Sequence, residues 1–529
     1  MSKFLFYQEI YLIILLTGIT CFGCTSETKA QFSLIGQVRT RSELRNGFGT
    51  LNLNDAKAAF FTSQRTRLTF GYKWERLNFQ TSIQDVRIWG QDASSISNSD
   101  GSKFMLHEAW AEVVLANMAD TTFKFRLIEN LSLKIGRQEL LYDDSRLLGN
   151  LDWLQQARRH DAVVLKALHK GWQVDIGGAF NQNTDAFGYT GTGYAPANVP
   201  QFLAGTQGGV VEIPVGFVPT NGKGGTPRFN NPPSTNGMNQ QYKSMQFVYL
   251  SRKFGQTKFA GLFFKDDFGV YQLDSVGNAT TGYVYGRNYR KGEGVNSRYT
   301  YGFLLTKTMG NASLGFKTVL TVGLYFQSGK NRDGRDLRAQ HYTAALTFQK
   351  GNFSFGPGWD YLSGNHTIGG GNRTNFTDAS ATDNRFDPLY GTPHKFWGYM
   401  DYFYVGTGAP MQGLNNGYFK AKYATNTLSI GLDYHYFATI ATQTTLISDA
   451  QPNTQLDKYL GSEIDLIINY SLNKFTNLEF GFSVMKATNS LEYNKLGSFD
   501  KANQTPTWAY LMVNLRPDFF FVKPVAIKQ

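Results

Sequence analysis

The sequence predicts an all-β protein, a transmembrane antiparallel β-barrel of about eighteen strands with long outer loops and short inner turns. Between Gln31 and Pro517 about eighteen short stretches alternate apolar and polar residues, the period-two signature of strands. The connectors between them alternate long and short, as the outer loops and inner turns of a membrane barrel do. Aromatic residues make up 15% of the chain, with 42 Phe and 29 Tyr, enough for the girdles that such barrels carry at both interfaces. The mean hydropathy of -0.33 suits a barrel, because only half of each strand meets lipid. A large soluble β-protein, a propeller or sandwich, would share the periodicity, but the N-terminus and the connector rhythm argue against it.

The first element is a secretion signal over residues 1–30. Lys3 supplies its charge, Ile10 to Ile19 its apolar core, and Thr28-Lys29-Ala30 a small-x-small cleavage site before Gln31. The core is shorter than the roughly 20 residues of a spanning helix. Cys21 and Cys24 follow it, as in a lipoprotein, but the residues before each fit a lipid-attachment box poorly. They are the two cysteines of the chain, so cleavage after Ala30 leaves none and excludes disulfides, zinc-thiolate sites and cysteine nucleophiles. Residues 31–529 then form one outer-membrane barrel. Its formal charge of +12 is unchanged by cleavage, which removes two basic and two acidic residues. In a secreted chain such a charge points to an anionic solute or polymer, with no nucleic acid.

The strands follow in order. In Arg65 to Trp74, Thr66, Leu68, Phe70, Tyr72 and Trp74 share one face and Arg65, Arg67, Thr69, Gly71 and Lys73 the other. Gln84 to Ile88 shifts phase, which predicts a bulge. Tyr342 to Phe348, Leu428 to Tyr436, Glu463 to Leu472 and Leu478 to Val484 alternate cleanly, and Trp508 to Leu515 would close against the first strand. Residues 396–405 read as strand-like inside a long loop, and sixteen or twenty strands would fit the same rhythm.

Tight links fall at 74–76, 169–171, 254–256, 309–311, 350–352, 425–427 and 472–474, with a longer inner connector at 117–129. Long polar segments fall at 90–104, 139–160, 182–240, 268–298, 363–413, 440–457 and 487–506. The Gly-, Asn-, Pro- and Thr-rich segment 182–240 is either a lumenal plug or a surface loop.

The basic residues fall on the polar faces. Arg39 and Arg41 lie there in the first strand, Arg65, Arg67 and Lys73 in the second, Arg87 in the third and Lys134 in the fifth. A cation facing lipid at the midplane costs about 2–4 kcal/mol, so these side chains are expected to point inward. There they attract anions and offer carboxylates a planar fork, or else pair with Asp85, Glu108, Glu112 and Asp161 in a wall-stabilising network.

Three runs resemble the alginate-export family of outer-membrane barrels. They are Gly136-Arg137-Gln138-Glu139-Leu140, Arg146-Leu147-Leu148-Gly149-Asn150 with Trp153, and Arg158-Arg159-His160-Asp161-Ala162. Tyr361 to Asn365 and His394 to Asp401 are similar to its downstream motifs. The resemblance implies an eighteen-stranded barrel that passes a polyuronate outward through an arginine-lined lumen, with Arg137 and Arg158 as lumen groups and Arg65, Arg67 and Arg87 beside them. It implies as partners outer-membrane lipid and lipopolysaccharide of a Gram-negative-type bacterium, an anionic polysaccharide or small organic anion, and periplasmic export partners. No cofactor is expected. A diffusion porin taking up small anions is the alternative.

Enzyme signatures are lacking: the sequence has no G-x-S-x-G and no H-E-x-x-H, and its seven histidines are dispersed. Asn331, Asp333 and Asp336 around Gly334 resemble part of a calcium loop without the full ligand set, so a plain turn is expected. The glycines between 188 and 193 precede no amphipathic helix that would make a nucleotide site.

Overall fold

In the computed structural model the described residues are 31–91, 104–118, 128–181, 194, 196, 199–219, 241–311, 315–370, 375–376, 382–405, 410–446 and 454–520. Eighteen strands form one sheet. They are β1 (Gln31–Asn46), β2 (Ala59–Trp74), β3 (Leu77–Ile88), β4 (Phe104–Asn117), β5 (Asn130–Gln138), β6 (His160–His169), β7 (Trp172–Phe180), β8 (Ser244–Phe254), β9 (Thr257–Gly269), β10 (Val295–Gly310), β11 (Lys317–Lys330), β12 (Asp336–Lys350), β13 (Phe353–Leu362), β14 (Leu414–Ala424), β15 (Leu428–Ala438), β16 (Tyr459–Asn473), β17 (Thr476–Ala487) and β18 (Thr507–Leu515). Each pairs antiparallel with its neighbours. The sheet closes where β1 meets β18, from Val38 opposite Leu515 to Asn46 opposite Thr507. Closure removes every edge, which a sheet in hydrocarbon requires.

The barrel is inverted in polarity relative to a soluble one. Phe263, Leu432, Ile464, Phe480 and Leu511 lie exposed on the outside, whereas Arg65, Gln84, Asp266, Gln327, Asp360 and Glu463 are buried inside. Exposed apolar faces on this scale would aggregate in water, so the observation separates a lipid-facing barrel from a soluble one. No described helix is long and apolar enough to cross a membrane; the barrel crosses with strands.

The short turns at one end fall where the sequence places them, except that 311–316 between β10 and β11 is longer than a tight link. At the other end 331–335 is a short turn among long loops: the Asn331 side chain accepts from the backbone of Asp333 and Arg335 at 3.0 Å. This is the plain turn expected of the calcium-like sequence. The bulge falls one strand later than the phase shift suggests. Ser82 opposes Glu108 and Ile83 opposes Leu106, so the extra residue is His107 of β4. Residues 396–405 form no strand but part of an inward segment that begins with a 3-10 turn at Pro393–Lys395. Residues 1–30, where a secretion signal is expected, and much of 182–240 lie outside the described residues. Within 182–240, Phe217–Pro219 pairs with Gly282–Asn288 in a small outer sheet.

Candidate functional site

Two outer loops turn into the lumen and meet there. Residues 139–159, between β5 and β6, touch residues 382–405, between β13 and β14. Leu148 bridges Tyr390, the Tyr390 amide donates to the Leu147 carbonyl at 2.9 Å, and the Thr392 amide donates to that of Ser145 at 2.9 Å. Trp153 stacks on His394 at 4.3 Å between centroids. Leu147, Leu148, Phe386, Leu389, Trp397, Met400 and Phe403 give the loops a buried apolar core inside the polar barrel. Of ten described non-glycine residues with positive φ, seven lie in these loops: Asp143, Ser145, Leu151, Ala157, Leu389, Asp401 and Tyr404. Such conformations cost about 1–3 kcal/mol each and persist because the surrounding contacts fix them.

The first loop is held by arginines of the barrel wall. Arg65 donates to Asp152 Oδ1 at 2.7 Å and Arg39 to Oδ2 at 3.1 Å, while the Arg67 guanidinium lies 3.9 Å from Oδ1. Arg39 also donates to the Gln155 side chain at 3.0 Å. Arg41 donates to Glu43 at 2.8 Å and to the Trp153 carbonyl at 2.8 Å, with its guanidinium 4.1 Å over the indole. Glu43 also pairs with Arg45 at 2.8 Å. Five arginines therefore face two carboxylates. Burial alone would raise the Asp152 carboxyl, but the hydrogen bond from Arg65 and the charges of Arg65, Arg39 and Arg67 hold it below the usual carboxylate range. The Asp152 side chain stays 42% exposed and that of Arg67 13% exposed, so solute can reach both.

The remaining basic residues divide between the faces. Lys134 points inward, 3.8 Å over the Trp110 ring. Glu112 faces Lys166 at 3.2 Å and Ser132 at 2.7 Å, and Glu108 accepts from Trp110 at 3.1 Å and Gln80 at 2.8 Å. Arg158 is buried at the loop junction and donates to the Gly391 carbonyl at 2.6 Å; burial pushes its guanidinium down to about 10.

Arg87 and Arg137 depart from the inward expectation. Asp85 and Arg87 share the face of β3 that carries Phe79 and Ile83, with a contact of 2.7 Å. Arg137 lies on the face of β5 that carries Ile135, paired with Asp161 by two 2.8 Å bonds. Both therefore face outward. Each sits one residue from the loop end of its strand, where the cost of a lipid-facing cation falls to about 0–1 kcal/mol, and an aspartate neutralises it. Asp85 and Asp161 thus do pair with arginines, but outside the lumen. The carboxylates that serve the inward arginines, Asp152 and Glu43, were not singled out from sequence. Period-two alternation places Glu43 on the face of Arg39 and Arg41 and could have found it; Asp152 sits in a loop and carries no such signal.

Ligand atoms of His107, Glu108 and Glu139 lie within 4.8 Å of one another, as a metal site requires. Their oxygens already have protein partners, His107 at 3.0 Å and Asn150 at 2.8 Å for Glu139 and Trp110 and Gln80 for Glu108. The two carboxylates are held in a hydrogen-bond network, while Nδ1 of His107 is buried with no partner among the described residues.

Beneath the loops lies a cavity of about 640 Å³ lined by Arg146, Lys395, Tyr399, Lys420, Asp433 and Asp465 among others. A closed barrel of this strand number, inverted in polarity and partly crossed by inward loops, is built as a channel wall.

Residues 30–178 match the alginate-export family. The alginate-export match covers β1 to β6 and most of β7, and with them the arginines, Asp152 and the first inward loop. The motifs at 361–365 and 394–401 lie beyond it. OccAB4 of Acinetobacter baumannii is similar in fold, with a TM-score of 0.50, 12% identity, and coverage of 92% of this chain and 98% of that one. So is the outer membrane protein OpdK of Pseudomonas aeruginosa, with a TM-score of 0.50, 10% identity, and coverage of 92% and 99%. OpdL of the same species has a TM-score of 0.50, 10% identity, and coverage of 93% and 99%. No curated protein matches the chain. The protein is an outer-membrane barrel of the channel type, set among membrane lipids.

Proposed function

We propose that the protein is a passive channel that passes an anionic polysaccharide, an alginate-like polyuronate, outward across the outer membrane after cleavage of residues 1–30. It acts without catalysis or cofactor, and periplasmic export partners hand it the polymer. The observation that carries the reading is the convergence of Arg39, Arg65 and Arg67 on the single carboxylate of Asp152. A surplus of guanidinium charge beside the inward loop partly dehydrates and selects anions, and its planar forks match uronate carboxylates. Arg41 and Lys134 extend the same lumenal face. The alginate-export match over the strands that carry these arginines supports this substrate class.

A second reading has its own observation. The two inward loops meet inside the barrel around a packed core, which suits small organic anions entering by diffusion better than a bulky polymer. Reversal potentials of the purified protein in a planar bilayer under a salt gradient, with and without uronate oligomers, test both. Anion selectivity with block by the oligomers is expected. Anion selectivity without block favours the uptake porin, and non-selective conductance would reduce the arginines to anchors for the loop.

A further inference from the structure

Beyond β18 from the arginine strands, the lumen wall is acidic. Lys420 of β14, Asp433 of β15, Asp465 of β16 and Ser483 of β17 lie directly opposite one another across four adjacent strands. Lys420 is committed to Asp433 at 2.6 Å. Asp465 therefore has a like charge on one side and a neutral hydroxyl on the other, and like charges directly opposite across strands are destabilising. Glu463, two residues along β16, puts a third carboxyl on the same face as Asp465.

These groups are buried. Glu463 is 0% and Asp465 1% exposed. The Met400 amide donates to Glu463 Oε1 at 2.9 Å, but Glu463 Oε2 and both oxygens of Asp465 have no donor among the described residues. A buried carboxylate without donors costs several kcal/mol, so something must compensate it. Asp433 and Asp465 both line the cavity of about 640 Å³ beneath the loops, so the pair borders open lumenal space. The backbone of the inward loop covers the pair: at Gly398, with φ +83°, a Cβ would stand 2.7 Å from the Glu463 oxygens.

We propose that Glu463 and Asp465 bind one hard divalent cation, calcium in the first instance, from the lumen. Asp465 supplies two oxygens and Glu463 one, and water in the cavity completes the shell. The free donors are all carboxylate oxygens, which select calcium or magnesium over zinc or copper. The ion offsets the facing charges of Asp433 and Asp465, and through Glu463 and the Met400 amide it braces the second inward loop against the wall. The site is independent of which solute the channel passes.

The test is terbium luminescence on the full-length protein in detergent, excited through its tyrosines, with calcium as competitor. One saturable ion per chain, displaced by calcium, is expected. Affinity should fall at least tenfold in Asp465→Asn and less in Glu463→Gln, and stay unchanged in Asp336→Asn at the outer rim. Absence of saturable emission in the folded wild-type chain would overturn the proposal, as would an Asp465→Asn variant that binds equally well. Should that variant not fold, wild-type stoichiometry and Glu463→Gln still decide. A protonated-carboxyl infrared band that persists in excess calcium and disappears in Asp465→Asn would show that the pair shares a proton instead, and would also overturn it.

Discussion

Arg65 of the barrel wall grips Asp152 of the first inward loop at 2.7 Å, with its other nitrogens held by Gln37. The arginine is almost fully buried, with 1% of its side chain exposed, whereas the aspartate is 42% exposed. The contact anchors the loop and also sets how much positive charge the lumen shows, so the two partners have opposite effects on selectivity. Asp152→Asn should raise the anion-to-cation permeability ratio, because three guanidinium groups lose their shared counter-charge. Arg65→Ala should lower it. Reversal potentials read both. Equal shifts in one direction would mean that the pair acts only as an anchor.

The outward placement of Arg137 separates the lumen from the rim. Arg67→Ala should weaken block by uronate oligomers by about tenfold, roughly 1.4 kcal/mol, the scale of one charge-assisted contact. Arg137→Ala should leave block and selectivity unchanged, since its partner Asp161 shares the lipid-side face. A loss of block in Arg137→Ala would refute that placement.

The pH dependence follows from Asp152. Its carboxyl is held below the ordinary value of 3.8 in the folded protein. A depressed acid contributes stability above its unfolded value and loses it as pH falls through the folded value. Conductance should therefore stay level from neutral pH down to about 4 and become noisy only in stronger acid. Asp152→Asn should remove that transition. A wild-type transition above pH 5 would assign the anchoring to another group.

Alternation made the barrel legible. In Arg65 to Trp74 each residue type already states its face, because lipid tolerates one set and the lumen the other. The same rule misplaced Arg87 and Arg137, because it says nothing about depth: at a strand end an arginine paired with an aspartate is tolerated on the lipid side. The phase shift at Gln84 to Ile88 marks no bulge: β3 keeps its register with β2 throughout. The apparent shift comes from Asp85 and Arg87 lying on the lipid side at the rim, whereas the extra residue, His107, belongs to β4 alone. The lumenal site was only half legible. Its arginines sit on periodic strands, but Asp152, Trp153 and the apolar run from Phe396 to Tyr404 sit in loops. A loop that folds into a lumen builds a core of its own, and residues 396–405 look strand-like for that reason.

Whether the two inward loops move is open to a direct test. Their contact is extensive, with backbone bonds from Thr392 to Ser145 and from Tyr390 to Leu147, the Trp153–His394 stack and Leu148 at 1% exposure. Truncating such a residue, Leu148→Ala, should cost about 2–5 kcal/mol of local stability. It should raise open-channel conductance and noise while the barrel stays folded, as judged by heat-dependent mobility in detergent gels. The complementary variant joins Ser145→Cys with Thr392→Cys; Cys21 and Cys24 are the chain's own cysteines and lie ahead of the barrel, within residues 1–30, so competing thiols are absent from the barrel residues. If the packed loops form a fixed cross-wall, the bridge forms under mild oxidation and conductance is the same before and after reduction. That is the expected result, because a packed interior has discrete arrangements and these contacts already specify one. A rise in conductance on reduction would show instead that the loops part during transport, and that the cross-wall is the closed state of a gate.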